Sequence, residues 1–194
     1  MTLHRRDVVK ALLAGRGDLL VVAGLGSASW DCTAAGDHPL TFPMWGAMGC
    51  AAMTGLGLAL AQPARRVLVV TGDGEMLMGL GSLATLGVQR PSNLGVVVLD
   101  NERYGETGMQ ETHTAHGVDL AAIARGACFA SATVVRDASG LEALCRAVHH
   151  AQGPWFAQVK VGAEKIPLVL PPREGALLKN RFREALLGAG AALQ

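Results

Sequence analysis

Two polar residues follow strongly apolar runs and have the chemistry of a cation site. Asp73 comes just after the run 66–70, and Asn101 comes just after the run 94–99. A carboxylate and an amide oxygen suit Mg²⁺, which usually completes its octahedron with phosphate oxygens and water. The glycines that flank the carboxylate, Gly72 and Gly74, let backbone N–H groups approach a phosphate closely. These residue types together predict a site for a cation and a phosphate.

The elements around these residues form a predicted strand–turn–helix–strand unit. Segments 66–70 and 94–99 have the length and β-branching of buried strands, and between them leucines recur at helical spacing over 75–90, before Pro91. A βαβ unit makes the two strands parallel neighbours with a right-handed crossover. Their carboxyl ends then lie side by side, where open α/β sheets bind ligands. The carboxylate and the amide are therefore expected to converge.

The rest of the chain alternates between strand-like and helix-like patterns. We predict a single α/β domain over residues 1–194, with 167–194 as a C-terminal extension and helix. Its expected architecture is a three-layer, doubly wound, mostly parallel sheet of about six strands. Residues 30–45 lack periodicity and are predicted to form a long connection. The further predicted strands are 19–24, 129–135 and 154–161, and the further predicted helices are 3–14, 50–61, 119–127, 139–152 and 173–188.

Composition excludes several classes of protein. The formal net charge is +1, which gives no argument for nucleic acid or a charged membrane surface as a partner. None of the four cysteines forms a CxxC pair, and no metal-ligand spacing is present. Because residues 1–10 also lack the pattern of a secretory signal, we expect reduced thiols and a cytoplasmic location.

An uncharged stretch from Pro39 to Pro63 resembles a transmembrane helix in length. Pro43 interrupts it, however, and four glycines crowd its middle. We therefore expect no membrane span, but a buried helix that packs closely against another backbone or a cofactor.

The motif GDG, followed by an asparagine 28 positions after its aspartate and then by ERYG, resembles the fingerprint of thiamine diphosphate-dependent enzymes. The resemblance covers nearly the whole chain as the domain that binds the diphosphate. It implies thiamine diphosphate and Mg²⁺ as cofactors. The metal ligands would be Asp73, Asn101 and the carbonyl of Arg103. The remaining cofactor contacts in this region would be Gly72, Gly74, Glu75, Tyr104 and Gly105.

Two upstream segments are similar to further cofactor contacts of that family. The small-residue loop 24–29 ends a predicted strand, and the resemblance makes Gly26 and Ser27 diphosphate contacts. In the segment Gly-Ala-Met-Gly, the carbonyl of Gly46 would accept a hydrogen bond from the 4′-amino group of the pyrimidine. The side chain of Met48 would separate the two cofactor rings, a catalytic role that its size and flexibility suit.

Within the family, the chain is most similar to the β subunits of sulfopyruvate and phosphonopyruvate decarboxylases. The resemblance implies non-oxidative decarboxylation of a small 2-oxo acid to an aldehyde, with the cofactor as electron sink. In this family a glutamate on a second, pyrimidine-binding domain activates the cofactor, and 194 residues leave no room for that domain. We therefore predict a separate α subunit that supplies this glutamate, in an αβ-type hetero-oligomer. A homodimer of the isolated chain is the alternative.

Two further titratable residues lie near the predicted cofactor site in sequence. His113 lies in a polar segment after the fingerprint and is the candidate to bind an anionic substrate or to move protons near pH 7. Glu75 stands where many relatives have a small residue, and a carboxylate beside a diphosphate is unfavourable unless it points away or pairs with a cation. Arg103 is the predicted partner for that pairing.

Three other functions compete with decarboxylation. One is a carboligase of the acetolactate synthase type, although such enzymes usually carry all their domains on one long chain. Another is a binding or regulatory subunit without turnover, which the retained motif residues argue against. An NAD-binding Rossmann protein is the third, but residues 24–29 read GLGSAS and not GxGxxG.

Overall fold

The computed structural model describes residues 2–191, which form one six-stranded parallel sheet with helices on both faces. The order of the strands across the sheet is β2-β1-β3-β4-β8-β7. A short antiparallel hairpin, made by β5 and β6, stands apart from it. The strands are β1 (Leu20–Ala23), β2 (Thr41–Pro43), β3 (Val67–Gly72), β4 (Leu94–Asp100), β5 (Arg103–Tyr104), β6 (Gln110–Glu111), β7 (Ser131–Val135) and β8 (Trp155–Lys160).

The helices divide into two layers because each buries an apolar stripe against one face of the sheet. One layer holds α1, α2 and α7, and the other holds α3 to α6. Helix α8 packs against the edge strand β2, where Phe182 meets Phe42 edge-to-face at 5.6 Å. The helices are α1 (Arg5–Leu12), α2 (Ser27–Ala34), α3 (Ala51–Ala61), α4 (Asp73–Met78), α5 (Ser82–Gln89), α6 (Leu120–Gly126), α7 (Ala138–His150) and α8 (Gly175–Leu187), with a 3₁₀ turn at His113–His116.

The chain continues from β1 to β2 at one edge of the sheet and from β3 to β4 on the other side. The order of the strands therefore reverses between the neighbours β1 and β3. They pair in parallel, with Ala23 opposite Val70. The chain leaves β1 through α2 on one face and leaves β3 through α4 and α5 on the other. Connections that diverge to opposite faces open a crevice at the carboxyl ends of the two strands, which is where such sheets bind ligands.

The predicted doubly wound α/β fold with about six strands is confirmed, and the main sheet is parallel throughout. One predicted element was wrong: the segment 75–90 is not a single helix but two, α4 and α5, with a break at residues 79–81. The break occurs where the backbone of Gly79 lies against the carbonyl of Gly49, so closely that a Cβ on Gly79 would overlap that carbonyl. Tertiary contact therefore overrides the continuous helical pattern.

The prediction of a long irregular connection over 30–45 was also wrong. Most of α2 and all of β2 lie there. Helix α2 buries small residues such as Ala28 and Cys32 in place of a leucine stripe, so its sequence shows almost no amphipathic period. Strand β2 has three residues, which is too short for alternation to be visible.

The uncharged stretch contains α3, an 11-residue helix. Gly55 faces Val69 of β3 so closely that a Cβ would collide with that side chain, so one side of the helix packs tightly on the sheet, against a side chain and not against the expected backbone or cofactor. The opposite side of the helix is open, and Met53 and Leu60 are exposed there. No helix within residues 2–191 is long and apolar enough to cross a membrane.

Candidate functional site

A pocket of about 150 Å³ lies at the crevice between β1 and β3. The turn after β1 forms one wall, the start of α4 forms another, and the β5–β6 hairpin covers it. Ten of the residues predicted from the sequence to contact cofactor or metal line it. They are Ser27, Met48, Gly72, Asp73, Gly74, Glu75, Asn101, Arg103, Tyr104 and Gly105.

Asp73 is the buried carboxylate of this pocket, with 2% of the residue exposed. The hydroxyl of Thr112 donates to its Oδ2 at 2.5 Å, and the hydroxyl of Thr114 lies 3.3 Å from the same oxygen. Both hydroxyl contacts are therefore on one carboxylate oxygen, and Oδ1 is left without a side-chain donor among the described residues.

Burial raises the pKa of Asp73 to about 6, and the nearby Asp100 carboxylate shifts it in the same direction. A carboxylate that is costly to ionise gains from a bound cation, because the cation favours the charged form. Asn101 contributes an amide oxygen to the same pocket. The set of hard oxygen donors fits a Mg²⁺ ion that takes its remaining ligands from phosphate and water.

A second buried carboxylate, Asp100, lies behind Asp73 and has 0% exposure. It accepts hydrogen bonds from Thr114 Oγ1 at 2.7 Å and from Gln158 Nε2 at 2.5 Å, and Lys160 Nζ lies 2.7 Å away. Burial alone would lower the pKa of Lys160, but its hydrogen bonds to Asp100 and Glu102 outweigh burial and raise that pKa. The lysine therefore stays charged and neutralises Asp100.

The two threonine hydroxyls have two protons for the contacts around these carboxylates. The short contacts assign the proton of Thr112 to Asp73 and that of Thr114 to Asp100, while the hydroxyl oxygens lie 2.9 Å apart. The segment 112–114 thus links the two carboxylates and fixes the orientation of Asp73.

Loss of this orientation is expected to weaken cation-dependent ligand binding. Thr112→Val removes the 2.5 Å hydrogen bond to Asp73 while keeping the shape of the side chain. Hydrogen bonds to charged groups contribute about 1.5–3 kcal/mol, so we expect Mg²⁺-dependent binding to weaken roughly tenfold or more. Calorimetric titration measures this Mg²⁺-dependent affinity. The control is Thr133→Val, the same substitution on the edge strand β7. Equal affinities for the two variants would contradict the assignment.

Arg103 lies at the start of the hairpin that covers the pocket. Its backbone N–H donates to Asn101 Oδ1 at 3.0 Å, and it pairs with Glu111 across the hairpin in the β5–β6 register. Its guanidinium lies 3.1 Å from Glu111. The predicted pairing of Arg103 with Glu75 was therefore wrong, because a cross-strand carboxylate is closer.

In residues 2–191, no cluster of three His, Cys, Asp or Glu side chains is arranged to hold a metal ion.

Glu75 is buried and turned toward the protein. Its Oε2 accepts from the backbone N–H of Leu25 at 2.9 Å and from the hydroxyl of Thr71 at 2.7 Å. Burial raises its pKa, and these hydrogen bonds act in the opposite direction. The carboxylate thus joins the turn after β1 to the end of β3. This explains how a carboxylate is accommodated beside a predicted phosphate site.

The floor of the pocket is shaped by Gly74, Tyr104 and Met48. The ring of Tyr104 lies against Gly74, where an added Cβ would come within 2.6 Å of it, and the Met48 methyl is 3.7 Å from the same position. A side chain at Gly74 would therefore displace the ring. Tyr104, the chain's one tyrosine, both anchors the hairpin and faces the pocket.

On the opposite wall, α2 begins at Ser27, which lines the pocket. Gly26 has φ of +72°, and a Cβ there would lie 2.5 Å from the carboxyl of Glu106. The hairpin thus reaches across the pocket to the start of α2.

The structure leaves three predicted site residues outside the pocket lining. Gly26 adjoins it through Glu106. Gly46 is exposed in the loop before α3, and His113 is exposed on the 3₁₀ turn with its neighbours Thr112 and Thr114 turned inward. Their predicted roles in binding cofactor and substrate remain predictions.

Several pocket residues were missed by sequence reasoning. Thr112 and Thr114 contact Asp73 from about forty positions away, a distance with no local spacing rule. Arg5 lies on the first helix, where its side chain is indistinguishable in sequence from those of a charged surface. The additional lining residues are Arg5, Leu25, Ala28, Leu99, Glu106 and Thr107.

Comparison with known families matches residues 26–159 to a model described as thiamine pyrophosphate enzyme, C-terminal TPP (thiamine pyrophosphate) binding domain. Thiamine pyrophosphate is another name for thiamine diphosphate. The matched residues include the hairpin that covers the pocket and all of the lining except Arg5 and Leu25.

Individual proteins show how far the similarity extends. Sulfopyruvate decarboxylase subunit beta of Methanothermobacter thermautotrophicus is 39% identical over 191 residues, covering 97% of this chain and 98% of that protein. Sulfopyruvate decarboxylase of Methanosarcina acetivorans is 31% identical, but the chain covers 47% of its length. A candidate thiamin diphosphate-dependent enzyme of Mycobacterium smegmatis, solved by X-ray methods, aligns with a TM-score of 0.71 and 25% identity, over 84% of this chain and 32% of that one.

Proposed function

Since the chain belongs to the thiamine pyrophosphate enzymes, as their C-terminal cofactor-binding domain, we propose that it is the cofactor-binding subunit of a 2-oxo acid decarboxylase that acts on sulfopyruvate. The observation that carries the proposal is the 39% identity to a sulfopyruvate decarboxylase β subunit over almost the full length of both chains. We treat residues 1–194 as a single domain of this type, with 167–194 as a C-terminal extension.

In this proposal the pocket holds the diphosphate end of the cofactor. Asp73, Asn101 and the carbonyl of Arg103 would hold Mg²⁺, which would supply positive charge to balance the diphosphate. Ser27 and the backbone around Gly74 contact the phosphate oxygens at the starts of α2 and α4, where backbone N–H groups lack helical partners. When bound, thiamine diphosphate supplies an electron sink for the decarboxylation of a 2-oxo acid.

The chain's other predicted residues act farther along the ligand. Met48 is proposed to separate the two rings of the cofactor, and its position beside Gly74 in the pocket supports this role. Gly46 is proposed to offer its carbonyl to the pyrimidine. His113, exposed next to the threonines that hold Asp73, is proposed to bind the anionic group of the substrate.

The proposal includes a partner subunit that carries the pyrimidine-binding domain. The nearly full-length relative is named as a β subunit, and a single-chain sulfopyruvate decarboxylase is about twice as long as this chain. The helix layer of α3 to α5 supports such a partner, because neither α3 nor α5 carries a charged residue. Its exposed apolar side chains are Met53, Leu60, Met78 and Val88. Self-association through the same layer would give the alternative homodimer.

A cytoplasmic location is part of the proposal. The four cysteines are free thiols, and two of them, Cys50 and Cys128, are exposed. Exposed unpaired thiols are typical of a reducing compartment.

Two measurements test the function. Calorimetry on the full chain is expected to show thiamine diphosphate binding that requires Mg²⁺, and no binding of NADH. Sulfopyruvate decarboxylation is expected only after the pyrimidine-domain subunit is added, because that subunit is proposed to supply the activating glutamate. Absence of Mg²⁺-dependent binding would overturn the cofactor assignment, and robust turnover by the chain alone would overturn the split active site.

A further inference from the structure

Arg5 is a buried cation in the wall of the pocket. It opens α1, and 6% of the residue is exposed. It lines the pocket next to Ser27 and Ala28, at the start of α2. Arginine is rarely buried so deeply without a partner. Its environment therefore indicates which group it is suited to bind.

The partner of Arg5 inside the protein is Asp31, which has 0% exposure. The Nε atom of Arg5 donates to Asp31 Oδ2. The Nε atom of Arg6 donates to the other carboxylate oxygen at 3.0 Å. One carboxylate thus serves two guanidinium groups, so the cluster carries an excess of one positive charge.

The two arginines of this cluster differ in their surroundings. Arg6 is partly exposed, and its Nη2 donates to the carbonyl of Pro167 at 2.7 Å, so its charge is solvated and its terminal nitrogen is occupied. Arg5 is engaged through Nε alone. Among the hydrogen bonds of the described residues, none uses its terminal nitrogens. The excess charge is therefore concentrated on the side of the cluster that faces the pocket.

A diphosphate in this pocket would require an unpaired cation to balance its negative charge. The pocket's other lining cation, Arg103, is paired with Glu111 at 3.1 Å. The lining acids are Asp73, Glu75 and Glu106. A diphosphate held there through Mg²⁺ keeps part of its negative charge, and a planar guanidinium binds phosphate oxygens in a two-pronged manner.

We propose that Arg5 is a ligand-binding residue that contacts the terminal phosphate of the cofactor, with Ser27 at the start of α2 completing the contact. Asp31 holds the guanidinium by its Nε edge and leaves the opposite edge for the phosphate. The first helix of the chain, outside the matched residues 26–159, thereby contributes to the cofactor site. This inference depends on the proposed function, because it requires the pocket to bind a diphosphate.

The test compares two matched variants, Arg5→Gln and Arg6→Gln, on the full chain. Both remove one guanidinium from Asp31, but only the first removes one from the pocket. Loss of a charge-assisted two-pronged contact is expected to weaken Mg²⁺-dependent thiamine diphosphate binding about 10- to 100-fold for Arg5→Gln. Arg6→Gln is expected to change it less than about threefold, since Arg6 does not line the pocket and its charge is partly solvated.

Competition by inorganic pyrophosphate tests whether Arg5 contacts the diphosphate end of the cofactor. Pyrophosphate carries only the anionic end, so its Mg²⁺-dependent competition with the cofactor should weaken by the same factor in Arg5→Gln. Equal losses in the two variants, or a loss for the cofactor without one for pyrophosphate, would overturn the assignment of Arg5. A wild-type chain that binds neither ligand would instead overturn the proposed function.

A folding defect is controlled by the double variant Arg5→Gln/Asp31→Asn. It removes the carboxylate that would be left short of a partner; asparagine keeps the size of aspartate, and glutamine is shorter than arginine. Thermal unfolding without ligand should then match that of the wild type to within a few degrees. Binding should still be weakened about 10- to 100-fold, and wild-type affinity in this variant would refute the contact.

Discussion

Asp73→Asn is expected to abolish Mg²⁺-dependent cofactor binding and, with it, decarboxylation in the assembled enzyme. The carboxylate is 2% exposed and provides the one anionic oxygen proposed for the metal. An amide keeps the shape and accepts the Thr112 hydrogen bond, but it carries no charge for the cation. We expect affinity to fall at least a hundredfold, which corresponds to about 2.7 kcal/mol. Calorimetry at fixed Mg²⁺ measures it.

The same substitution is expected to stabilise the ligand-free protein. Burial raises the pKa of Asp73 to about 6, above its ordinary value of 3.8, so the folded state holds that proton more tightly than the unfolded state. Stability of the wild type therefore decreases as pH rises from about 4 to above 6, in the presence of a chelator. The neutral variant lacks this decrease. Thermal unfolding at pH 5 and pH 8 should show the difference.

Asp119→Asn provides the control for both measurements. Asp119 caps α6 through the N–H of Ala122 and is exposed, and asparagine caps helices equally well. It should leave binding and the pH dependence unchanged. If the Asp73→Asn variant binds the cofactor as the wild type does, the assignment of this carboxylate as a metal ligand is wrong.

Met78→Glu is expected to prevent assembly with the partner subunit. Met78 is 68% exposed at the end of α4. This helix starts at Asp73 and is six residues long, so its end is about 8 Å from the pocket. A partner that delivers a glutamate to the cofactor must cover this region. A charge buried there without a counter-ion costs several kcal/mol, so the complex should weaken more than a hundredfold.

The matched control is Leu187→Glu, at a position 56% exposed on α8. Leu187 is the last residue of α8, which packs on the edge strand β2 and is not one of the three helices of the proposed partner interface. Co-purification and light scattering would report assembly of each variant. If Leu187→Glu disrupts the complex and Met78→Glu leaves it intact, the partner binds the C-terminal side and the proposed face is wrong. Each isolated variant should keep its thermal stability, because both side chains are exposed.

The central strands and the convergence of Asp73 with Asn101 were predictable because they follow from local rules. Strands β3 and β4 are buried on both faces, so their sequences are nearly continuous apolar runs rich in valine. A βαβ unit then fixes which strand ends are neighbours. The position of Arg103 in the hairpin was not predictable in the same way, since its partner Glu111 is set by hairpin register and not by composition.

The features that the sequence did not predict share a physical cause, which is contact between residues that are distant in sequence. The split between α4 and α5 depends on a backbone approach between Gly79 and Gly49. The orientation of Asp73 depends on Thr112. Neither the leucine spacing nor the charge pattern contains this information, because periodicity reports which face of an element is buried and not what that face touches.

Glu75 has a consequence for the cost of binding. Its carboxylate ties the N–H of Leu25, after β1, to the hydroxyl of Thr71, at the end of β3. The two turns that flank the crevice are therefore held at a fixed separation before any ligand arrives. A ligand that meets a preorganised crevice loses less free energy to ordering the protein, so its contacts contribute more fully to affinity. A serine at this position would be too short to reach both groups, so this side-chain link between the two turns would be lost.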